Sequence, residues 1–422
     1  MKENNKNKFI RDFDKLHPNE LVEWWYALGF LNSINGNKKW CFRVSLKEIR
    51  KLGGIIYSTT FYDQNENHKY SYETYINYNR VKRDEPLENG FRLNAFDAHI
   101  TGKLPDYDVR YTDKGNQIKV DLRYNAKANP FWIAQYITDG WLPAGLSFFR
   151  YGYIPKNDIS GKLIFKGKDY EVTGKGYMEH VYGNLLYRKP VSKITELNKI
   201  FSIYAKLISW WMQKQKVGFP KSIGFTTENS PLGYDWAWAY FDNGWSIFYG
   251  NLLFWMMEGP ATGILYLTKE KETNLRFSNI TYHYIQTRFS KTFDCIYPTE
   301  FEITTRKEKK EMYLHFKMTS EIHETKSHFP KSSYWRGYII LESPGIVEGY
   351  YKDGDKKIKL SGISKIEPQR QISKLGHNSL KLNFLLPPKG VGVTFEFNSH
   401  FFNKKLKGNV QLKPHLKLKF NT

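Results

Sequence analysis

The chain is almost devoid of cysteine. Its two cysteines, Cys41 and Cys295, lie far apart and outside any C-x-x-C spacing. This arrangement argues against a disulfide framework and against a thiolate metal site. A reducing compartment is the default expectation, and we predict a cytoplasmic protein.

Long hydrophobic runs are also missing. The first residues, MKENNKNKFIRDFDK, lack the apolar core of a signal peptide. No stretch approaches the roughly 18 apolar residues that a membrane-spanning helix requires. We therefore expect a soluble chain, or one that binds a membrane only at its surface.

Motifs for cofactors, metals and activated serine nucleophiles are absent as well. His323 and His328 bracket a stretch that resembles a zinc-protease signature, but five positions separate them and put the imidazoles on different helical faces. His180 has no second His or Cys at a ligand spacing nearby, and no G-x-S-x-G elbow occurs. We predict no metal and no cofactor.

Aromatic residues, by contrast, are abundant. They make up 17% of the 422 residues, with 30 Tyr, 29 Phe and 12 Trp. Tyr, Phe and Trp favour strands and large apolar cores, and the length favours two domains. The composition therefore predicts a mostly β protein.

Positive charge is also in excess. Lys and Arg total 64 against 42 Asp and Glu, which gives a net charge of +22. Such a charge attracts anionic membrane surfaces or nucleic acid, although a solvated lysine-rich surface explains it equally well. No nucleic-acid-binding motif accompanies the charge, so we do not predict nucleic acid as a partner.

The pattern of strands and turns divides the chain into segments. Residues 1–17 are polar and predict a flexible arm, residues 18–187 a first antiparallel β-barrel, residues 188–220 a helical insertion, and residues 221–422 a second barrel. A carboxylate followed by Trp opens each series of strands, which suggests an internal repeat. The alternating tail from residue 372 predicts an extension of the second sheet.

Residues 190–215 change from a period of two to a period of 3.6, which predicts an amphipathic helix. Two interpretations remain open: a helix that lies on a membrane surface, and a helix that caps a barrel with its apolar face inward. The first interpretation assigns membrane contact to Leu197, Phe201, Tyr204, Ile208, Trp210 and Trp211.

Two stretches combine acids, an imidazole and aromatic rings. Residues 174–184, GKGYMEHVYGN, carry Glu179 and His180, and residues 233–244, GYDWAWAYFDNG, carry Asp235. A buried carboxyl group beside aromatic rings can act as a general acid, and a histidine can act as acid or base. The alternative is structural: core aromatics, with polar groups that hydrogen-bond across a domain boundary.

Strand geometry limits which of these side chains can meet. Side chains alternate along a strand, so in EWWY Glu23 and Trp25 share one face while Trp24 and Tyr26 share the other. Asp235 likewise points away from the aromatic residues that follow it at alternate positions. Which face lines a cavity is left open at this stage.

Taken together, these segments resemble the tandem lipocalin-like proteins grouped with carotenoid 1,2-hydratase (hydroxyneurosporene synthase) and the AttH proteins. EWWYALGFL is similar to the opening strand of that family. SGKLIFKGKDYEVTGKGYMEHVYGN resembles its long hairpin and acidic-His motif, GYDWAWAYFDNG its next strand, and GYYKDGDKKIKLSGISKIE its closing segment. The likeness covers about residues 20–370 in the same order.

The resemblance implies two lipocalin-like barrels and an apolar ligand, often an isoprenoid or a polyketide. The chain departs from the family at Tyr182, where Trp is usual, in the helical insertion, and in the tail after residue 370. The family includes enzymes that add water to alkenes, enzymes of pericyclic cyclisation, and members without a known reaction. The substrate is therefore not implied.

From these observations we predict a cofactor-independent enzyme that hydrates, isomerises or cyclises a C=C bond of an isoprenoid or other lipid, as a hydro-lyase or a related lyase or isomerase. Asp235 or Glu179 would donate the proton, and His180 would orient or deprotonate water. The side chains expected to bind substrate are Glu23, Trp24, Trp25, Tyr26, Tyr177, Tyr182, Trp236, Trp238 and Tyr240. The alternative is a non-catalytic lipid carrier with peripheral membrane association; the sequence does not indicate an oligomeric state.

Overall fold

The structure is a computed structural model. It describes residues 3–50, 53–78, 90–144, 147–184, 194–215, 222–226, 232–253, 263–271, 274–277, 280–293, 295–328, 335–373, 379–385, 391–399, 404–412 and 416–421. The boundaries predicted near residues 187, 188, 220 and 221 lie outside these ranges and stay predictions.

The chain begins with a helix, α1 (Glu3–Phe13), where the sequence predicted a flexible arm. That prediction is wrong, because tertiary contacts fix this polar segment. Phe9 and Phe13 are buried in the core of the first sheet, and Trp132 donates a hydrogen bond from Nε1 to the Phe9 carbonyl oxygen at 2.8 Å. Two apolar anchors are enough to dock a helix that is otherwise hydrophilic.

The first sheet has twelve strands among the described residues, all in antiparallel pairs. Its elements are β1 (Val22–Ser33), β2 (Lys39–Ile49), β3 (Gly54–Asp63), β4 (His68–Asn77), β5 (Phe91–Ala95), β6 (Ala98–Lys103), β7 (Asp106–Asp113), β8 (Ile118–Ala126), β9 (Phe131–Trp132), the short helix α2 (Gln135–Thr138), β10 (Trp141–Ala144), β11 (Ser147–Phe165) and β12 (Lys168–Asn184). The strand order is β4-β3-β2-β1-β12-β11-β8-β7-β6-β5.

Between the two large sheets the chain forms α3 (Ile194–Gln215), followed by the short strand β13 (Ser222–Thr226). The helix predicted over residues 190–215 is thus confirmed where the structure describes it. No helix of the described residues is long and apolar enough to cross a membrane.

The second sheet has ten strands in the described ranges. They are β14 (Leu232–Phe241), β15 (Ser246–Leu253), β16 (Gly263–Thr268), β17 (Asn274–Phe277), β18 (Ile280–Ser290), β19 (Cys295–Lys307), β20 (Lys310–Met318), β21 (His323–His328), β22 (Trp335–Asp353) and β23 (Lys356–Ser373). Their order, β17-β16-β15-β14-β23-β22-β20-β19-β18, repeats that of the first sheet.

The repeat is clearest at the centre of each sheet. In the first sheet β1 pairs with β12, the return strand of the long hairpin β11–β12; in the second, β14 pairs with β23, the return strand of β22–β23. Two acidic-aromatic segments, EWWY in β1 and DWAW in β14, occupy the equivalent strands. The predicted fold class, two tandem antiparallel barrels with a helix between them, is confirmed.

The C-terminal segment forms a separate sheet. It contains β13, β24 (Ser379–Leu385), β25 (Val391–Ser399), β26 (Lys404–Leu412) and β27 (Leu416–Asn421), in the order β13-β24-β25-β26-β27. The prediction that this tail extends the second sheet is wrong, because β24 pairs with β13 instead. The alternation in the tail predicts that it forms strands, but it does not predict which strand they pair with. That partner is β13, a five-residue strand far away in the sequence.

Each large sheet encloses its own core. Trp25, Phe42 and Val109 belong to the first core, and Ala237, Leu265 and Phe301 to the second. A third buried cluster lies between the sheets, and we call it the seam. Its members are Tyr26, Leu28, Phe30, Cys41, Tyr62, Ile133, Ala134, Leu142, Tyr153 and Tyr177 from the first half and Trp236, Trp238, Phe248 and Tyr266 from the second.

Candidate active site in the seam

The alternation along β1 and β14 selects the residues that enter the seam. Trp25 faces the first core, while Tyr26 faces the seam with Trp24 packed against it. In β14, Trp236 and Trp238 face the seam, and Ala237 between them faces the second core. A strand that separates two cores therefore presents alternate residues to each.

Aromatic rings from both sheets meet in the seam. The ring centroids of Tyr177 and Trp236 are 5.4 Å apart, and Tyr153 stacks on Phe248 at 4.4 Å. Trp238 donates a hydrogen bond from Nε1 to the Pro155 carbonyl oxygen at 2.9 Å across the boundary. Of the residues predicted to bind substrate, Trp24, Tyr26, Tyr177, Trp236, Trp238 and Tyr240 belong to the seam or pack against it.

Glu179 is the acid that β12 contributes to the seam. Trp24 donates to its Oε1 from Nε1 at 3.0 Å, Tyr177 donates to its Oε2 at 3.1 Å, and Tyr151 also donates to Oε2. The residue is buried, and burial raises the pKa of its carboxyl group even though these hydrogen bonds oppose the shift. The net shift favours the neutral acid more than in an exposed glutamate.

A second acid, Glu367, faces Glu179 from the other sheet. It lies opposite Trp236 in the β14–β23 ladder and accepts a hydrogen bond from the Tyr234 hydroxyl at 2.8 Å. Burial, and after it the charges of Glu342 and Glu179, raise the pKa of Glu367 to about 8. No motif in the sequence indicates this residue. The alternation of KIE around Ile366, which faces the second core, is the signal that could have indicated it.

Buried charges surround the two acids. Glu342 accepts hydrogen bonds from Arg43 NH2 at 2.7 Å and Thr60 Oγ1 at 2.7 Å, and its other carboxylate oxygen is 3.0 Å from Lys365 Nζ. Burial opposes ionisation, yet Arg43 and Lys365 hold the pKa of Glu342 well below its usual range. This ion cluster joins β2 of the first sheet to β22 and β23 of the second.

Two polar groups between the acids stand out. Tyr26 lies opposite Glu179 in the β1–β12 ladder, Trp236 lies opposite Glu367, and the two rings are 6.5 Å apart. Both side chains are buried, and neither the Tyr26 hydroxyl nor Trp236 Nε1 has a hydrogen-bond partner among the described residues. Buried polar groups are normally hydrogen-bonded, so these two groups are candidates for contact with a ligand.

No protein-family model and no curated protein matches the chain. Among solved structures, an AttH-like protein from Nitrosomonas europaea matches with a TM-score of 0.55 and 14% identity, over 84% of this chain and 95% of that one. The chain has the tandem lipocalin-like fold.

Two further structures share that fold. CghA matches with a TM-score of 0.53 and 9% identity, over 86% of this chain and 95% of its own. Kievitone hydratase from Nectria haematococca matches with a TM-score of 0.51 and 10% identity, over 83% of this chain and 90% of its own. At these identities the similarity concerns the fold of the two lipocalin-like barrels alone.

His180 lies outside the seam, in the first barrel. It follows Glu179 on β12 and therefore points to the opposite face, where it stacks on Trp25 with ring centroids 4.1 Å apart. Its Nε2 is 2.9 Å from Glu23 Oε1, and burial lowers the pKa of the imidazole. Tyr182 shares this face and hydrogen-bonds to Asp12. The two adjacent residues of the EH motif thus belong to different environments.

Asp235 also lies outside the seam. Its carboxylate accepts a hydrogen bond from Arg370 NH1 at 2.8 Å and another from the Tyr284 hydroxyl, and the residue is buried. It points away from Trp236, as the alternation predicted. Asp235 is separated from Glu179 by the strand itself, so the two acids considered at the sequence level do not form one site.

The helix α3 packs on the first lipocalin-like barrel. Ile200 and Ile203 are buried against Phe148, and Lys199 Nζ lies 3.4 Å from the ring centroid of Trp141. One face of α3 thus packs against the barrel. Of the residues predicted to touch a membrane, Phe201 is 60% exposed; Leu197, Tyr204 and Trp210 are half-buried, and the side chains of Ile208 and Trp211 lie outside the described set.

The raised pKa of Glu367 gives a testable pH dependence. Between the ordinary value of 4.5 and about 8, the folded protein retains a proton that the unfolded chain releases, so the free energy of unfolding falls as pH rises. Glu367→Gln removes this loss. Urea denaturation at pH 5, 7 and 9 is expected to show that the free energy of unfolding of the variant rises progressively relative to that of wild type. Glu348→Gln, which alters an exposed residue, is the control and is expected to show no such trend. A constant difference across this range would contradict the shift.

Proposed function

We propose that the chain is an enzyme that transfers a proton to a C=C bond of an apolar substrate bound in the seam, followed by addition of water. The observation that carries the proposal is Glu179, a buried carboxyl group with a raised pKa among aromatic rings of two barrels. Burial and a raised pKa make a carboxyl group a better candidate for a general acid than an exposed one.

The reaction balances as follows. Glu179 gives its proton to one alkene carbon, the π electrons form the new C–H bond, and the other carbon becomes a carbocation. Water attacks this cation and forms the C–O bond, and the proton that the oxygen then releases returns to the Glu179 carboxylate. The net change is addition of H and OH, with no oxidant or reductant.

The seam can stabilise both charges that this step creates. The faces of Trp236, Trp238 and Tyr177 lie in one cluster and can interact with a developing cation. The positive charge of Arg43 favours the Glu179 carboxylate that remains after proton transfer. The proposal keeps Glu179 from the sequence-level scheme and moves Asp235, His180 and Trp25 out of it.

The comparisons support hydration only by analogy. One protein of the same fold is named a hydratase, and fold similarity does not specify chemistry. The substrate class that we propose, an isoprenoid or similar lipid alkene, rests on the aromatic lining of the seam and on the family resemblance of the sequence. The proposed function therefore rests on the residues of the seam and not on the fold.

The test uses purified wild-type protein and Glu179→Gln with polyprenyl alkenes in water enriched in deuterium and ¹⁸O. The proposal predicts a product that carries one non-exchangeable deuterium on carbon and one ¹⁸O, formed by wild type and not by the variant. Product with label in both proteins would contradict the role of Glu179. Stoichiometric recovery of bound, unlabelled alkene would favour the second candidate, a lipid carrier that uses the same aromatic seam without chemistry.

We also propose that α3 contacts a bilayer from which substrate enters. Phe201 is 60% exposed on this helix, and the chain carries a net charge of +22. Phe201→Ser is expected to lower the partition into vesicles of anionic phospholipid at least roughly tenfold, since burial of a Phe side chain contributes about 1.5–3 kcal/mol. Phe289→Ser, which alters a residue 56% exposed on β18, is the matched control. Equal losses in the two variants would contradict a specific role of α3.

A further inference from the structure

Three potential metal ligands converge in the first barrel, on the face of β1 and β12 opposite the seam. His17 follows α1, Glu23 lies in β1 and His180 lies in β12. His17 Nδ1 and His180 Nε2 are each 2.9 Å from Glu23 Oε1, and the three ligand atoms lie within 4.8 Å of one another. No second histidine lies near His180 in the sequence, but the turn after α1 brings His17 close to it in space.

The outer nitrogen of each imidazole also faces an acceptor. His180 Nδ1 is 2.8 Å from the Phe13 carbonyl oxygen, and His17 Nε2 is 3.3 Å from Asp12 Oδ1. A carbonyl oxygen cannot donate, and a carboxylate only accepts, so each outer nitrogen is expected to carry the hydrogen. In a neutral imidazole the inner nitrogen then has a lone pair.

Both inner lone pairs point at the same carboxylate oxygen, Glu23 Oε1. Such a contact is repulsive unless a positive charge lies between the atoms. The rings of His17 and His180 are 5.3 Å apart and His180 is fully buried, so the three ligand atoms converge on one small volume. One metal ion between them would bind both lone pairs and the carboxylate oxygen.

The surroundings match such an ion in two ways. Metal-bound histidines usually donate their other N–H to a backbone carbonyl or a carboxylate, as His180 and His17 can here. The ion pairs around the cluster contain three carboxylates, Asp12, Glu23 and Glu48, against two guanidinium groups, Arg50 and Arg150, so they are net negative. The side chain of His17 is 17% exposed, which leaves a route from solvent.

We infer that His17, Glu23 and His180 form a binding site for one divalent transition-metal ion of the zinc type. Two imidazoles and a carboxylate are a donor set that suits Zn²⁺ at about 2.0–2.2 Å, with ligand atoms roughly 3.3 Å apart. The two contacts of 2.9 Å need to open by a few tenths of an ångström, and the two imidazole nitrogens, which lie within 4.8 Å of each other, adjust to the same spacing. The ion would bind the turn after α1 to β1 and β12. It is a structural site and is independent of the proposed function.

The experiment uses the full chain, treated with chelator and then dialysed against Zn²⁺ or Co²⁺. We expect elemental mass spectrometry to find one metal ion per chain. We also expect bound Co²⁺ to give a visible absorption band that disappears when Zn²⁺ displaces it, and Zn²⁺ to raise the melting temperature. His17→Ala is expected to lose all three effects. His315→Ala is the matched control, because His315 contacts Glu300 at 2.8 Å without a third ligand among the described residues, and it is expected to keep them.

Wild-type protein that binds less than a tenth of an equivalent of either metal would overturn the inference. So would equal binding by both variants. If His17→Ala fails to fold by circular dichroism, ¹⁵N NMR of the wild-type histidines decides. Zinc-bound shifts for one ring nitrogen of His17 and one of His180 support the site, and protons on all four nitrogens in the presence of Zn²⁺ refute it.

Discussion

Replacement of Glu179 by Gln is expected to lower kcat by about 10²- to 10⁴-fold, the range typical for loss of a general acid. Gln keeps the size of the side chain. Its Oε1 can still accept the hydrogen bond from Trp24, and its amide nitrogen can donate to the tyrosine hydroxyls, but it has no acidic proton to transfer. Substrate binding depends on the aromatic seam, so KM is expected to change little. Initial rates over a range of substrate concentrations measure both constants.

Asp235→Asn is the control for this substitution. Asp235 is bound to Arg370 on the far side of β14, so the variant is expected to lose stability while its folded fraction keeps turnover within a few-fold of wild type. The rate of wild-type protein is also expected to fall as pH rises through the raised pKa of Glu179, because the ionised form cannot donate. A large loss of kcat in Asp235→Asn with full activity in Glu179→Gln would reverse the assignment.

Glu342→Gln is expected to destabilise the folded chain by roughly 3–5 kcal/mol, the cost of removing one partner from a buried ion pair. The Glu342 and Lys365 side chains are 0% exposed and that of Arg43 is 7% exposed, so water cannot compensate for the lost charge. The ion cluster joins the two sheets, and its loss is expected to weaken the contact between them. Urea denaturation of wild type and variant measures the difference.

A surface pair provides the comparison. Arg110 and Asp121 are 2.9 Å apart, but their side chains are 56% and 50% exposed. Exposed pairs contribute about 0–1 kcal/mol, so Asp121→Asn is expected to have little effect. If the two variants lose the same free energy of unfolding, the buried ion cluster does not stabilise the contact between the two sheets.

Much of the architecture could be predicted from local patterns. Period-two alternation identified the strands that form both barrels, the change to period 3.6 identified α3, and the paired segments EWWY and DWAW marked the repeat. These signals are local because the periodicity of a strand or a helix depends on residues only a few positions apart. The same alternation predicted that Asp235 points away from Trp236.

Features that depend on long-range contacts could not be predicted in this way. The helix α1 forms from a polar segment because Phe9 and Phe13 dock in the first core. The ion cluster brings Arg43 to Glu342 across 299 positions of sequence. Glu367 becomes a candidate acid only because the second sheet faces Glu179, and His17 reaches His180 through the turn after α1. A pattern in one stretch contains no information about which distant stretch it meets.

The proposed reaction requires a protonated Glu179 in the seam, and infrared difference spectroscopy tests for this proton without a substrate. Wild-type protein at pH 7 is expected to show carbonyl bands of protonated carboxyl groups that shift in deuterium oxide. Glu179→Gln is expected to lose one such band, and Glu367→Gln another. If Glu179→Gln instead loses only the bands of an ionised carboxylate, Glu179 is not protonated at this pH, and this result would contradict its role as the proton donor.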